Sequence, residues 1–238
     1  MSTKKIEEKP QTKKEESKKG SSSDWLAIFV FFMVAVAIFA LFASAEDEPE
    51  VFSGTDFGVS TYTSKVDMNE NGIDDQTEIL MRTREYISTK PSYKSEYYNT
   101  GYPNDGYGVC TDVVGYALKN SGYDLMTLVN RDIIENPEDY DIETPDINID
   151  FRRVKNLIVY FDHTAISLTT DINDISQWQG GDIIVWSDHI GIVSDNRNEK
   201  GMPYVIHHAR PGQTRYEEDV FGKKYDEYVN VVRHFRIS

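Results

Sequence analysis

This 238-residue sequence predicts an α+β fold: N-terminal helices packed on a mostly antiparallel sheet, preceded by one transmembrane helix. Three observations carry that prediction. Residues 25–45 (WLAIFVFFMVAVAIFALFASA) form one uncharged apolar run. Between about residues 75 and 122 the apolar positions recur with helical spacing. From Gly181 onward the pattern changes to short β-rich runs divided by turn residues. Helices first and strands afterwards is the α+β order.

Residues 1–24 hold seven Lys against five acidic residues, whereas the whole chain carries −15, leaving −17 for residues 25–238. The basic stretch is polar and low in complexity and reads as a disordered cytosolic tail. At about 1.5 Å per residue, the apolar run spans roughly 30 Å, the thickness of a bilayer core. Lysines precede it and acids follow, so the positive-inside rule puts the N-terminus in the cytosol and the remainder outside. Residues 25–45 are therefore expected as a single-pass membrane anchor. Cleavage after Ala45, at the small-x-small pattern Ala43-Ser44-Ala45, is the alternative and would release a secreted domain. The strongly acidic outer part argues against a nucleic-acid partner, because phosphates need a basic face.

Residues 46–65 read as an acidic linker, followed by a loop and helix over 66–90 and a domain over 91–238. The loop DMNENGIDDQTE meets the EF-hand pattern. Asp67, Asn69 and Asn71 stand at positions one, three and five, with Gly72 at the sharp turn. Ile73 offers its carbonyl at seven, Asp75 stands at nine, and Glu78 at twelve can clasp an ion with both oxygens. So many hard oxygen donors suit Ca²⁺. The segment before the loop is a poor helix and there is no partner loop. A structural clip is expected, rather than a paired-hand switch that opens a groove.

A helix is expected from about Asp75 to Ser88. The next begins at Cys110, places Val113, Val114, Ala117 and Leu118 on one face, and stops at Gly122. NPEDYDIETPDINID reads as an irregular surface segment and RRVKNLIVYFDHT as a helix covering the sheet. DIIVW, HIGIVSD, PYVIHHA and VNVVRHFRI read as strands.

Cys110 is the only cysteine, so no internal disulfide forms. A thiol at a helix start, followed by histidines on later strands, is what a cysteine hydrolase needs. Helix N–H groups lower the thiol's pKa and face a developing oxyanion. An imidazole moves the proton, and a third polar group holds the imidazole. His189 is the candidate base. Neighbours on a strand face opposite ways, so only one of His207 and His208 can be the third group. Arg152 and Arg153 are candidates to grip a substrate carboxylate, and Tyr107 to line the cleft. Asp112 fits a helix-dipole role, and His163 and His234 read as structural or exposed.

With those residues the sequence resembles the papain-like superfamily, in its bacterial NlpC-type branch of cell-wall peptidases. The likeness rests on Cys110 opening a helix, on GDIIVW…HIGIVSD and on VIHHA. It implies that Cys110 is the nucleophile, His189 the base and His207 (or else His208) the orienting residue. A closer resemblance, over about Tyr93 to His234, is to a bacterial family described as domain of unknown function family 1287. It rests on GYPNDGYGVCTDVV, NIDFRRVKNL, the tryptophan before GDIIVW, and HIGIVSD. The expected function is that of a membrane-anchored extracytoplasmic hydrolase, a peptidase or amidase. It would act through a thioester, with peptidoglycan peptide as its substrate and Ca²⁺ as a structural ion. The competing readings are a non-catalytic, calcium-stabilised surface-binding module and a calcium-dependent sensor.

Overall fold

A computed structural model describes residues 22–43, 50–221 and 230–237. The chain divides into two units, residues 1–49 and 50–238. In the first, helix α1 runs Ser22–Ala43, so residues 22–24 belong to the helix and not to the tail expected over 1–24. The apolar side chains from Trp25 to Val36 are exposed. No helix among the described residues is long and apolar enough to cross a membrane. Side chains are described only over 25–36 of α1, short of the roughly 20 residues a span needs. The rest of the expected tail, and Ser44 and Ala45 of the expected anchor, lie outside the described residues.

The second unit is a mixed α+β domain. Its helices are α2 (Asp75–Ser88), α3 (Cys110–Asn120), α4 (Leu125–Glu135) and α5 (Val154–Thr164). Ser92–Tyr93 (β1) and Tyr107–Gly108 (β2) form a small parallel pair. The main sheet comprises β3 (Ile166–Ser167), β4 (Ile183–Val185), β5 (Ile190–Arg197), β6 (Pro203–Ile206), β7 (Glu217–Glu218) and β8 (Arg233–Arg236). Its order is β3-β8-β4-β5-β6-β7, and every pairing is antiparallel.

Strand alternation explains the layers. Ile183 and Val185 of β4 face a core shared with Val114, Ala117, Leu118, Leu157 and Phe161 of the helices. Ile184 and Trp186 face the other side, where Trp178, Val193, Val205 and Val220 pack. A strand buried on both faces reads as an unbroken apolar run, which is why DIIVW lacks alternation.

Residues 50–65 differ from the expected linker. Phe52 pairs with Arg197 in an antiparallel bridge, and Tyr62 donates its amide to Gln179 at 3.0 Å. Those hydrogen bonds dock the stretch on the end of β5 and on the turn before β4. α2 packs on α3 and β5 within the same unit, so the divisions expected at residues 66 and 91 are not boundaries between compact units.

The start of β4 is held by Asp182, which is fully buried. Its Oδ1 accepts from Gln76 Nε2 of α2 at 2.9 Å and from Arg236 Nε of β8 at 2.7 Å. Its Oδ2 accepts from the Gln179 amide at 2.9 Å and from Arg236 Nη2 at 2.7 Å, and lies 2.9 Å from His234 Nε2. The His234 ring stacks on Trp178 with centroids 3.7 Å apart. Gly181 has φ +94° and lies so close to Gln76 that a Cβ would sit 2.4 Å from the Gln76 carbonyl oxygen; only glycine fits there.

Removing one member of a buried ion pair strands the other charge. We therefore expect Asp182→Ala to destabilise the domain by about 3–5 kcal/mol, read as a fall in the urea midpoint. An unchanged midpoint would show that the cluster does not hold the sheet.

Candidate active site

Cys110 is the first residue of α3, after Val109 in extended geometry (φ −136°, ψ −174°). A valine cap has no side-chain acceptor, so the first-turn amides are not consumed by capping. The backbone amides of Ile190, Thr111 and Cys110 favour the thiolate and pull the pKa down. Cys110 packs against the core cluster that includes Ile190 of β5, the residue after His189. Burial nevertheless dominates and pushes the thiol up to about 11, with Asp112 adding to the rise. The low pKa expected from the helix start alone is therefore not what the surroundings produce.

His189 lies just ahead of β5. Its Nε2 is 2.7 Å from His207 Nδ1 at the end of β6, and the Trp186 ring stacks alongside at 5.6 Å between centroids. Burial pushes His189 down to about 3, helped by His207 and His208. His207 is the one that meets His189. His208, on the other face, packs edge-on against Tyr93 and Tyr216 at 5.2 and 5.1 Å. Burial pushes it down to about 4, with His207 contributing. The opposite-face rule leaves open which of the two meets His189; in the structure it is His207.

A cleft of about 360 Å³ opens beside the thiol, lined by Tyr93, Ser95, Cys110, Arg152, Lys155 and Asp188 among others. Arg152 is buried, with Nε and Nη2 donating to the two oxygens of Asp112 at 2.7 and 2.9 Å and Nη1 to the Glu96 carbonyl at 2.7 Å. This fork is already filled, which runs against the expected grip on a substrate carboxylate. Asp112 also accepts from the Val109 amide at 2.8 Å, so it does more than balance the helix dipole: it pins the turn before the thiol. Arg153 is exposed, 3.8 Å from Asp150, and does not line the cleft. Tyr107 is exposed with Lys94 over its ring at 4.8 Å; it borders a separate cavity with Tyr86 and Tyr116, not the Cys110 cleft. The short strand that holds Tyr107 pairs with Ser92–Tyr93, and of these tyrosines it is Tyr93 that lines the cleft beside the thiol. Among the other histidines, His163 Nδ1 is 2.7 Å from Asp132, and His234 belongs to the Asp182 cluster.

Sequence reasoning did not single out Tyr93 or Glu218. Tyr93 comes from a two-residue strand that carries no pattern. Glu218 lies in an acidic run that reads as solvated surface but is 7 % exposed, with its Oε2 3.4 Å from His207 Nε2.

The loop before α2 folds on itself. Asp67 accepts from the amides of Asn71 and Gly72 at 3.1 and 2.7 Å. Asn69 accepts from the Asn71 amide at 3.2 Å, and Asn71 from the Ile73 amide at 2.9 Å. Asn69 and Asn71 turn their Nδ2 groups to the two oxygens of Glu78 at 2.9 and 2.7 Å. Gly72 has φ +90°, the left-handed turn that position six demands. Asp75 is engaged elsewhere, accepting from the Met68 amide at 2.8 Å and from the Tyr123 hydroxyl. No group of three or more His, Cys, Asp or Glu among the described residues gathers as a metal site. The residues that do converge are Asp67, Asn69, Asn71 and Glu78.

With this geometry in place, comparison with known proteins is informative. A family described as domain of unknown function (DUF1287) matches residues 80–237. The chain belongs to that family. It is also 37 % identical over 150 residues to the uncharacterized protein YijF of Escherichia coli (strain K12), an alignment covering 58 % of this chain and 72 % of the relative. No solved structure matches. The family region takes in Cys110, His189, His207 and Asp182, whereas the Asp67–Glu78 loop lies ahead of it.

Both imidazoles are held neutral in the fold but would be protonated in the unfolded chain below about pH 6.5. Groups with depressed pKa contribute stability above the unfolded value, which drains away as pH falls toward about 3 for His189 and about 4 for His208. We expect stability to fall between pH 7 and 5, and His208→Gln to flatten that slope in urea titrations. An unaltered slope would mean that His208 is not held neutral.

Proposed function

We propose that this protein is a membrane-anchored extracytoplasmic cysteine hydrolase of papain-like, NlpC-type organisation, acting on amide bonds of cell-wall peptide. The observation that carries the reading is the His189–His207 hydrogen bond of 2.7 Å, made next to Ile190, a member of the core cluster against which Cys110 packs. Nucleophile, base and orienter then come from α3, β5 and β6 in chain order. The anchor rests on the apolar run over 25–45 and on the basic sequence before it.

The pair rests neutral, as thiol and imidazole, because burial opposes charge on both. The thiolate therefore forms as the substrate is attacked. Cys110 adds to the carbonyl carbon while its proton passes to His189 Nδ1. The first-turn amides of α3 face the developing oxyanion. The C–N bond breaks, and that proton leaves with the amine. Water then attacks the thioester, His189 takes its proton, and the thiol returns as the acid is released.

One observation favours the non-catalytic binding module instead: a thiol near 11 is inert at neutral pH unless a base assists it. Alkylation separates the two readings. We expect Cys110 to react with iodoacetamide between pH 6 and 8, and His189→Ala to slow it on the order of 10²-fold. Cys110→Ala should abolish hydrolysis of wall peptide without unfolding the domain. A rate indifferent to His189→Ala leaves the binding module.

The same proposal gives the Asp67–Glu78 loop a structural Ca²⁺, held by Asp67, Asn69, Asn71, the Ile73 carbonyl and Glu78, with Asp75 acting through water. Asparagine amides turn readily between donor and acceptor faces, so both can present oxygen to an ion. The ion would supply cross-linking and no chemistry, clipping the loop to α2 and to the end of α3, where Asn69 Nδ2 meets the Asn120 carbonyl at 3.4 Å. At ten times the dissociation constant, Ca²⁺ should stabilise by about 1.4 kcal/mol, seen as a raised Tm that Glu78→Gln removes. No shift at millimolar Ca²⁺ overturns the clip, and a large change in shape marks a sensor.

A further inference from the structure

We infer that Glu218 is a positioning residue that sets the tautomer of His207 and, through it, of His189. The inference rests on the cysteine hydrolase reading and adds a fourth side chain to its machinery.

Register brings Glu218 there. Strand β7 pairs with β6 so that Val205 stands opposite Glu218 and Ile206 opposite Glu217. His207 follows Ile206, and its amide donates to the Tyr216 carbonyl at 2.8 Å. The His207 carbonyl accepts from Gln213 Nε2 at 3.0 Å, so the backbone on both sides of the imidazole is fixed. The Glu218 carboxylate is 7 % exposed, and its Oε2 lies 3.4 Å from His207 Nε2. Arg210 Nη2 donates to its other oxygen, Oε1, at 3.3 Å.

At 3.4 Å the carboxylate stands at ion-pair range, beyond an ordinary hydrogen bond, and acts on His207 through its charge. Negative charge facing Nε2 favours a proton there over a lone pair, which leaves the lone pair of His207 at Nδ1. That lone pair, 2.7 Å from His189 Nε2, holds the His189 proton on Nε2. His189 Nδ1 is then left unprotonated and able to take the proton of the thiol. In the opposite arrangement His207 donates from Nδ1, its Nε2 lone pair faces the carboxylate, and His189 carries its proton on Nδ1. That form cannot act as a base toward Cys110. Because these groups are buried, the carboxylate's preference is little screened. When His189 becomes cationic during attack, the same chain spreads the charge toward Glu218, with Arg210 and His208 opposing it.

The test is nitrogen NMR of the imidazoles in the full chain carrying ¹⁵N-histidine, beside iodoacetamide alkylation of Cys110. We expect the unmutated chain to show protonated Nε2 and bare Nδ1 at both His189 and His207. Glu218→Gln should move His189 toward the Nδ1–H form and slow alkylation on the order of 10²-fold. Arg210→Ala breaks the ion pair but keeps the carboxylate, so it should leave the tautomers as they are; a change there equal to that of Glu218→Gln would mark a merely structural role and overturn the inference. Should Glu218→Gln not fold, the unmutated chain still decides, since Nδ1–H on His189 refutes the proposal. Bare Nδ1 that persists in folded Glu218→Gln refutes it as well. Alkylation unaffected by His189→Ala would sink the hydrolase reading instead, and the tautomers would judge Glu218 separately.

Discussion

The buried carboxylate of Asp182 is the constraint on which the domain depends. One side chain ties the start of β4 to β8 through Arg236 and His234, to α2 through Gln76, and to the preceding turn through the Gln179 amide. A lone ionised carboxylate in an apolar interior would be strongly destabilising, so each lone pair must find a donor. Those donors come from parts of the chain more than 100 residues apart, and only one arrangement of sheet and helix brings them together. The Asp182 main chain takes part too, its carbonyl accepting from the Val193 amide at 2.8 Å. β5 is thereby registered on β4, and His189 stands at the mouth of that pairing, where Trp186 donates its amide to the His189 carbonyl at 2.8 Å.

A second buried ion pair does for the thiol what Asp182 does for the sheet. Asp112 and Arg152 meet in a two-pronged contact with neither side chain more than 2 % exposed. Through Asp112 the pair holds the Val109 turn, and through Arg152 it holds the Glu96 carbonyl and so one wall of the cleft. The thiol therefore sits on a helix end fixed by charge, after a valine cap that makes no side-chain hydrogen bond to the first turn.

Burial has opposite consequences for the Cys110 thiol and the His189 imidazole and one consequence for both. It raises the thiol and depresses the imidazole, so both are neutral at rest. A neutral thiol resists oxidation better than a thiolate. His207 is held by its own backbone, whose amide bonds the Tyr216 carbonyl and whose carbonyl bonds Gln213, in the stretch between β6 and β7.

Much of this was legible along the chain. The helical period marked α2 over Asp75–Ser88 and the apolar face of α3, where Val113, Val114, Ala117 and Leu118 are fully buried. Gly122, in the left-handed region at φ +97°, closes that helix as its composition suggests. β-rich runs located β4, β5, β6 and β8. The two-residue strands β1, β2, β3 and β7 are too short to carry any period, and Glu218 was hidden in one of them. Residues 50–65 have linker composition, yet they dock by backbone hydrogen bonds that any side chains allow. Alternation placed His207 and His208 on opposite faces without saying which face meets His189. The sequence by itself determined where helices and strands begin, because period, turn residues and apolar faces are local properties. Tertiary structure alone decided that Arg152 serves Asp112, that His207 serves His189 and that Asp182 anchors β4. Each of those depends on which distant donor reaches a buried acceptor, and burial is a property of the packed chain.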